Sequence, residues 1–416
     1  MNKNEKTALL PRLRFPEFAS TGEWKICTLN KLALRINTRN QDNSIKHVLT
    51  NSAIEGVVDQ SDYFDREVAN HNNLENYFVI DEGDYVYNPR ISATAPVGPI
   101  SKNKVGKGVM SPLYTVFRFE NPNNDFYEHY FKTPLWHLYL KNVSNTGARH
   151  DRMSVSTDGF MKMPLPYHSD EEQQKIADCL SSIDDLIAAE DKKLEALTSH
   201  KKGLMQKLFP TEGNAVPEWR FLEFRDDGEW DKKTIGSSCF SFSGGTPNTS
   251  NREYYEGNIP FIRSAEIDRE ITELFITQAG LDNSAAKIVR AGDVLVALYG
   301  ANSGEVALSK MNGAINQAIL CLRHENSNAF VYHYLAHKKL WIISTYIQGG
   351  QGNLSGEIIK SIELYFPEPK EQEKIANCLS GVDALMADQA KKIEELKTHK
   401  KGLMQGLFPS IEEVGE

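Results

Sequence analysis

Three places in this 416-residue sequence combine residue types and spacings that could do chemistry. Asn88-Pro89-Arg90 comes nearest to the Asn-Pro-Pro-aromatic loop of amino-methyltransferases. It lacks the second proline and the aromatic that would stack on a target base, and no Gly-rich S-adenosylmethionine loop precedes it. Asp81-Glu82 with Asp84 is a small acidic cluster, in which Gly83-Asp84 reads as a turn into a strand. His333 and His337 stand four apart on an expected helix, but no third ligand accompanies them, and a packed or solvated pair is the expectation. His200 and His399 lie in a repeated stretch, so duplication accounts for both. No Gly-x-x-x-x-Gly-Lys-[Ser/Thr] loop is there to cradle a nucleotide. The chain is expected not to be an enzyme.

The elements that position such residues must be built by an ordinary globular sequence. It is 40% apolar and 25% charged, and its length calls for two or more domains. No apolar run approaches the ~20 residues that span a bilayer, and no signal-peptide core follows Met1–Lys6. Five cysteines form no CxxC pair, which argues against a disulfide framework or a Cys-ligated zinc; a cytoplasmic location is expected. The net charge is −9, divided as +1 for residues 1–170, −2 for 171–210, −6 for 211–369 and −2 for 370–416. Without a basic tail or block, any contact with nucleic acid must use a local surface or a partner's help.

An internal repeat organises the chain. The segment from Glu172 to Pro210 and that from Glu371 to Pro409 are identical at 25 of 39 positions, at an offset of 199 and without a gap. Upstream, Pro11-Arg-Leu-Arg-Phe-Pro-Glu-Phe with Gly22-Glu23-Trp24 matches Pro217-Glu-Trp-Arg-Phe-Leu-Glu-Phe with Gly228-Glu229-Trp230, at an offset of 206. Two tandem units follow, each a variable body and then a shared segment. Within the bodies only faint matches survive, such as Gly83-Asp84 with Gly292-Asp293.

The shared segments read as long helices of roughly 55 Å at about 1.5 Å per residue. Ile176, Leu180, Ile183, Ile187, Leu194, Leu197, Leu204 and Leu208 follow alternating steps of four and three, with Glu190 and Lys201 in the two gaps. Gln389 and Lys400 fill the same gaps in the second copy, a coiled-coil device for fixing register. The two seams are expected to meet each other, antiparallel. Ser169 and Glu172 could form a capping box, and Pro210 and Pro409 stop the helices. Gly203 and Gly402, each costing ~1 kcal/mol against Ala, suggest the close approach of another backbone.

The bodies read as mixed α/β. Strand-like runs occur at 85–87, 114–119, 294–299 and 318–322, and a helix is expected near 126–142 and near 329–347. A polar, Gly-containing loop follows each helix, at 146–152 and 348–353.

The twice-occurring EQxKIAxCLS…HKKGLMQxLFP, each preceded by a divergent body, strongly resembles the specificity subunits of type I restriction–modification systems. In the second body, Ser243-Gly-Gly-Thr-Pro247, Gly257-Asn-Ile-Pro-Phe-Ile-Arg-Ser264 and Asn316-Gln317-Ala318-Ile319 resemble that family's target-recognition domains; the first body lacks the Gly-Gly-Thr-Pro step, and Asn37-Thr38-Arg39-Asn40 stands in its region. The resemblance implies a mixed α/β fold, with two target-recognition domains (1–170 and 211–369) separated and joined by two long helices (171–210 and 370–416) in an antiparallel coiled coil. It implies that each domain reads one half of a split double-stranded DNA target while the helices set the gap. Expected partners are two methyltransferase subunits, bringing S-adenosylmethionine, and restriction subunits using ATP and magnesium. No cofactor is expected in this chain and no membrane contact.

Loop position and side-chain chemistry then select candidate DNA contacts, since arginine, asparagine and glutamine can bond base edges in pairs. In the first body these are Arg149, His150 and Arg152, supported by Arg90, Lys102 and Lys104; in the second, Thr246, Arg263, Tyr299, Asn302, Gln348, Gln351 and Asn353. Gly244-Gly245 and Gly349-Gly350 are taken to permit loop conformations. The alternative from another class is a duplicated, non-catalytic scaffold that binds only proteins.

Overall fold

A computed structural model describes residues 9–63, 74–144, 151–346 and 353–411. Two compact units divide the chain: Met1–Ala189 with Ile393–Glu416, and Glu190–Lys392. The division falls inside two 39-residue helices, Asp170–Leu208 and Pro369–Leu407. Among the described residues, no helix is long and apolar enough to cross a membrane.

The first unit contains strands β1 (Lys25–Thr28), β2 (Ala33–Ile36), β3 (Val48–Ser52), β4 (Gly56–Asp59) and β5 (Phe78–Ile80). It continues with β6 (Tyr85–Tyr87), β7 (Ile100–Lys102), β8 (Gly108–Met110), β9 (Thr115–Phe119) and β10 (Pro164–Tyr167). They form the sheets β2-β9-β6-β7 and β4-β3-β8-β5 and the pair β1-β10; among the described residues only the β3–β8 pairing runs parallel. The second unit contains β11 (Asp231–Thr234), β12 (Cys239–Ser243), β13 (Tyr255–Ile262), β14 (Phe275–Ile276) and β15 (Lys287–Val289). After them come β16 (Val294–Ala297), β17 (Val306–Leu308), β18 (Gly313–Ile315), β19 (Ile319–His324) and β20 (Glu363–Phe366). Adding ten to every strand number of the first unit reproduces the sheets of the second, the parallel β13–β18 pairing included. Bodies that scarcely align as sequences therefore share one topology.

The central strands are short runs of β-branched and aromatic residues buried on both faces, such as Tyr85-Val86-Tyr87 and Val294-Leu295-Val296-Ala297. A Gly-Asp turn enters each, at Gly83-Asp84 and Gly292-Asp293, with the glycine at φ +89° and +90°. Each aspartate receives an arginine from the neighbouring strand: Arg118 Nε donates to Asp84 at 2.6 Å, and Arg323 Nε to Asp293 at 2.9 Å. The acidic cluster at 81–84 is thus a structural tie. Helix Asn328–Tyr346 matches the expectation for the second body. In the first body the expected single helix is broken into Asp125–Tyr130 and His137–Val143, because Pro134 between them can neither donate to the ladder nor accommodate the preceding turn.

Both long helices carry a buried carboxylate in their first turn. Ser169 Oγ accepts from Glu172 N at 3.3 Å, half of the expected capping box. The Glu172 side chain does not close the box; it takes two bonds from Arg14, at 2.8 and 2.7 Å. Glu371 takes the same two from Arg220, at 2.8 and 2.5 Å, with both side chains almost wholly buried. The two repeated motifs of the sequence therefore meet at this ion pair in each unit.

Within each unit the long helices run antiparallel, and the polar residues in the gaps of the apolar pattern find partners across the seam. Gln389 Nε2 donates to the Glu190 carboxylate at 2.6 Å, and Lys392 joins the same carboxylate. Lys201 reaches Asp383 at 2.5 Å, and Lys400 reaches Asp184. The helix ends also serve as body core: Ile176, Leu180, Leu407 and Phe408 in the first unit, Leu208, Phe209, Ile375 and Leu379 in the second. The close approach expected at Gly203 and Gly402 is not there; a Cβ at either would meet nothing within 4 Å. It occurs at Gly406, where a Cβ would stand 2.5 Å from Leu13.

A second repeated device fixes each body to its helices. His129 Nε2 lies 3.0 Å from Ser181 Oγ, and His333 Nε2 lies 3.0 Å from Ser380 Oγ. Each Nδ1 is 3.9 Å from the aspartate that takes the lysine of the opposite helix, Asp184 or Asp383. Burial, reinforced by those lysines, holds the imidazoles neutral, down to about 4 for His129 and about 3 for His333.

Three outcomes follow for stability. Arg220→Ala, which strands Glu371 in the interior, should cost about 3–5 kcal/mol in denaturant unfolding, whereas replacing both partners by methionine should be nearly neutral. Gly402→Ala should stabilise by up to ~1 kcal/mol, since the site is open. Because the unfolded chain protonates its histidines below ~6.5 while the folded chain resists, the contribution of His129 and His333 is full above that pH and is lost as pH falls toward 4. A His129→Gln/His333→Gln variant should show a flatter stability profile between about pH 6.5 and 4.5.

Candidate functional site

The exit of β6 builds the most distinctive surface of the first unit. Asn88 spends its carboxamide locally: Nδ2 donates to Asn51 O at 2.9 Å, and Oδ1 accepts from Arg90 N at 3.0 Å. Gly98, at φ +83°, presses against it so closely that a Cβ would stand 2.0 Å from Asn88 O. Met153 N donates to Pro89 O at 2.8 Å and Ile91 N to Asp151 O at 3.0 Å, so Arg90 and Arg152 face each other in an isolated antiparallel bridge. Ser156 then caps helix Thr157–Met161, which anchors the loop from its far side. Residues 62 apart in sequence are brought together. Arg149 and His150 lie outside the described residues.

The second unit repeats the arrangement with different side chains. At the exit of β16, Leu298 N donates to Ala318 O at 2.8 Å, and Leu354 N donates to Leu298 O at 3.0 Å. Tyr299 and Asn353 flank that contact, and Ser355 caps helix Gly356–Ser361. Asn302 sits in the tight turn Gly300–Asn302 that follows, where its carbonyl accepts from Glu305 N. Tyr299, 38% exposed, and Asn353 both face solvent. Gln348 and Gln351 lie outside the described residues.

The remaining candidates are more committed. Thr246 Oγ1 donates to Gln317 Oε1 at 2.9 Å, beside the Ala318 that holds Leu298. The two glycines before Thr246 are required by close approach rather than by an unusual φ: a Cβ at Gly244 would lie 1.7 Å from Ile315 O, and one at Gly245 would lie 2.6 Å from Ala285 Cβ. Arg263 is spent on carboxylates, with Nη2 at 2.6 Å from Glu266 and 3.0 Å from Glu273. Its hydrogen bonds, opposed by burial and aided by Thr272, draw the Glu266 carboxyl down to about 2. Lys102 reaches Asp125 at 2.6 Å and Lys104 reaches Glu128 at 2.7 Å, so both are neutralised by helix Asp125–Tyr130. They line a cavity of about 510 Å³ with Trp136 and His137, not the cleft of Arg90 and Arg152.

That cleft, about 280 Å³, is lined among others by Thr50, Asn51, Asn88, Arg90, Tyr114 and Arg152. Tyr114 OH lies 3.2 Å from Thr50 Oγ1. Neither Tyr114 nor Gln317 stood among the candidate contacts read from the sequence. The Asn316-Gln317 step was a usable signal for the latter, whereas nothing marked a tyrosine preceding a strand. Lys339, on helix Asn328–Tyr346, was also passed over; it pairs with Glu305 beside the 300–302 turn.

Residues 227–398 match the model of the type I restriction modification DNA specificity domain. A putative type I restriction enzyme MjaX specificity subunit of Methanocaldococcus jannaschii is 27% identical over 301 residues, 69% of each chain, a span that reaches beyond one unit. Residues 227–398 thus match that DNA specificity domain, and the chain is similar over 69% of its length to a type I restriction enzyme specificity subunit. The fold agrees: the crystal structure of the S subunit from M. genitalium matches 97% of this chain and 100% of its own, with a TM-score of 0.61 at 13% identity. A chain from a structural study of complex assembly in the type I R-M system matches 93% of this chain and 97% of its own, with a TM-score of 0.58 at 17% identity. The two units differ in side chains where β6 and β16 end.

Gly244→Ala tests whether the second unit's loops depend on that close approach. The added methyl should destabilise the fold by about 1–3 kcal/mol in thermal or denaturant unfolding.

Proposed function

We propose that this chain is the DNA-reading, non-catalytic subunit of a type I restriction–modification complex, with each unit recognising one half of a bipartite double-stranded target. The observation that carries this reading is one fold used twice with different chemistry at the same place. Arg90 and Arg152 occupy the strand exit of one unit, Tyr299 and Asn353 that of the other. A reader of two unlike half-sites needs that combination, because base edges are distinguished by side chains while the frame need not change. The paired helices would set the gap between halves and receive two methyltransferase subunits. S-adenosylmethionine would enter with those subunits, and ATP and magnesium with the restriction subunits. Linking two modest readers makes the second contact intramolecular and sharpens selectivity. With a net charge of −9 and with Lys102 and Lys104 already paired, much of the phosphate attraction would come from the partners. A protein-binding scaffold accounts for the duplicated helices but not for the DNA specificity domain matched at 227–398.

Mixing the purified chain with its cognate methyltransferase subunit and S-adenosylmethionine should methylate one bipartite sequence, while the chain alone should methylate nothing. Exchanging residues 211–369 for the body of another such subunit should change one half of the target only. A change in both halves, or methylation without selectivity, would contradict the reading.

A further inference from the structure

Resting on that reading, we propose that the half-site read by the first unit contains a guanine, recognised by Arg90 and Arg152 from the cleft at the end of β6. Most polar groups of the cleft are already committed within the protein. Asn88 has spent its carboxamide on Asn51 and Arg90 backbone; Asn51, 2% exposed, donates to Val86 O at 2.7 Å, and its unpartnered Oδ1 is buried away from solvent, out of a base's reach. Ser92 Oγ accepts from Ala95 N, and Thr50 Oγ1 lies against Tyr114 OH. Arg14, Arg39 and Arg118 of the same unit are bonded to Glu172, Asn76 and Asp84.

Arg90 and Arg152 differ from these. Their guanidinium nitrogens come no nearer than 4.0 and 3.7 Å to the Asp151 carboxylate between them, beyond hydrogen-bond range. Asp151 holds the pair against mutual repulsion without consuming its donors. Among the described residues no carboxylate lines the cleft. The free groups are thus donor forks, and the base edge that accepts such a fork in the major groove is guanine, through N7 and O6. The matching position of the second unit holds Tyr299, and Arg263 there is saturated by Glu266 and Glu273, so the same preference is not expected of the second half.

The test uses the complete chain in complex with its methyltransferase subunit and duplexes of its methylated target. Replacing the first-half guanine by 7-deazaguanine, which lacks the N7 acceptor, should weaken binding roughly tenfold or more. Arg90→Ala/Arg152→Ala should lose roughly ten- to a hundredfold of the preference for guanine over other bases there, while keeping its preference at the second half, which certifies folding and assembly. Arg90→Lys/Arg152→Lys should not restore it, because an ammonium supplies charge without the fork. The proposal is overturned by a first half without guanine, by indifference to 7-deazaguanine, by an alanine variant that keeps its preference or loses it at both halves, or by lysine variants that behave as the parent. Failure of the unaltered complex to methylate any bipartite sequence would overturn the underlying reading instead.

Discussion

A carboxylate buried in the first turn of a helix must meet a cation, and in this chain that requirement joins body to helix twice. Glu172 and Glu371 are each closed by two hydrogen bonds from an arginine that enters from the start of its own unit. Removing the cation alone would leave a charge with no solvent, which is why neither motif can drift without the other. The same logic runs along the seam, where Glu190 meets Gln389 and each lysine in a gap meets an aspartate. These contacts set a register that apolar residues alone would leave free to slip.

That constraint explains what the sequence made legible. The repeats at offsets 199 and 206 stand out because their residues are mutually required, and the steps of four and three were enough to place the helices and the polar gaps. The Gly-Asp turns survived as faint matches because a positive φ and a buried aspartate are both needed there. The shared strand order of the bodies was not legible. A core of short buried strands asks only for apolar, β-prone residues of suitable volume, and many sequences meet that demand. Gly203 and Gly402 misled for a related reason: a glycine in a helix announces a cost but not its cause, and the close approach lay at Gly406.

The candidate contacts divide along the same line. Arg90 and Arg152, chosen from separate segments, were brought together by backbone bonds that no spacing rule encodes. Lys102, Lys104 and Arg263 were chosen for charge, and charge is what their acidic neighbours consume. A basic residue read from sequence shows only a capacity; its partners determine how much remains for a ligand. The surfaces left unspent lie at the ends of β6 and β16, at the same point of one topology.

On the proposed reading, one frame used twice with unlike strand exits serves a target made of two independent words. Sequencing the methylated sites in cells that contain this chain and its modification subunit measures this directly. A single motif of two short, unlike specified blocks, separated by an unspecified gap of constant length, is the predicted result. One continuous specified block, or blocks whose separation varies from site to site, would contradict the account.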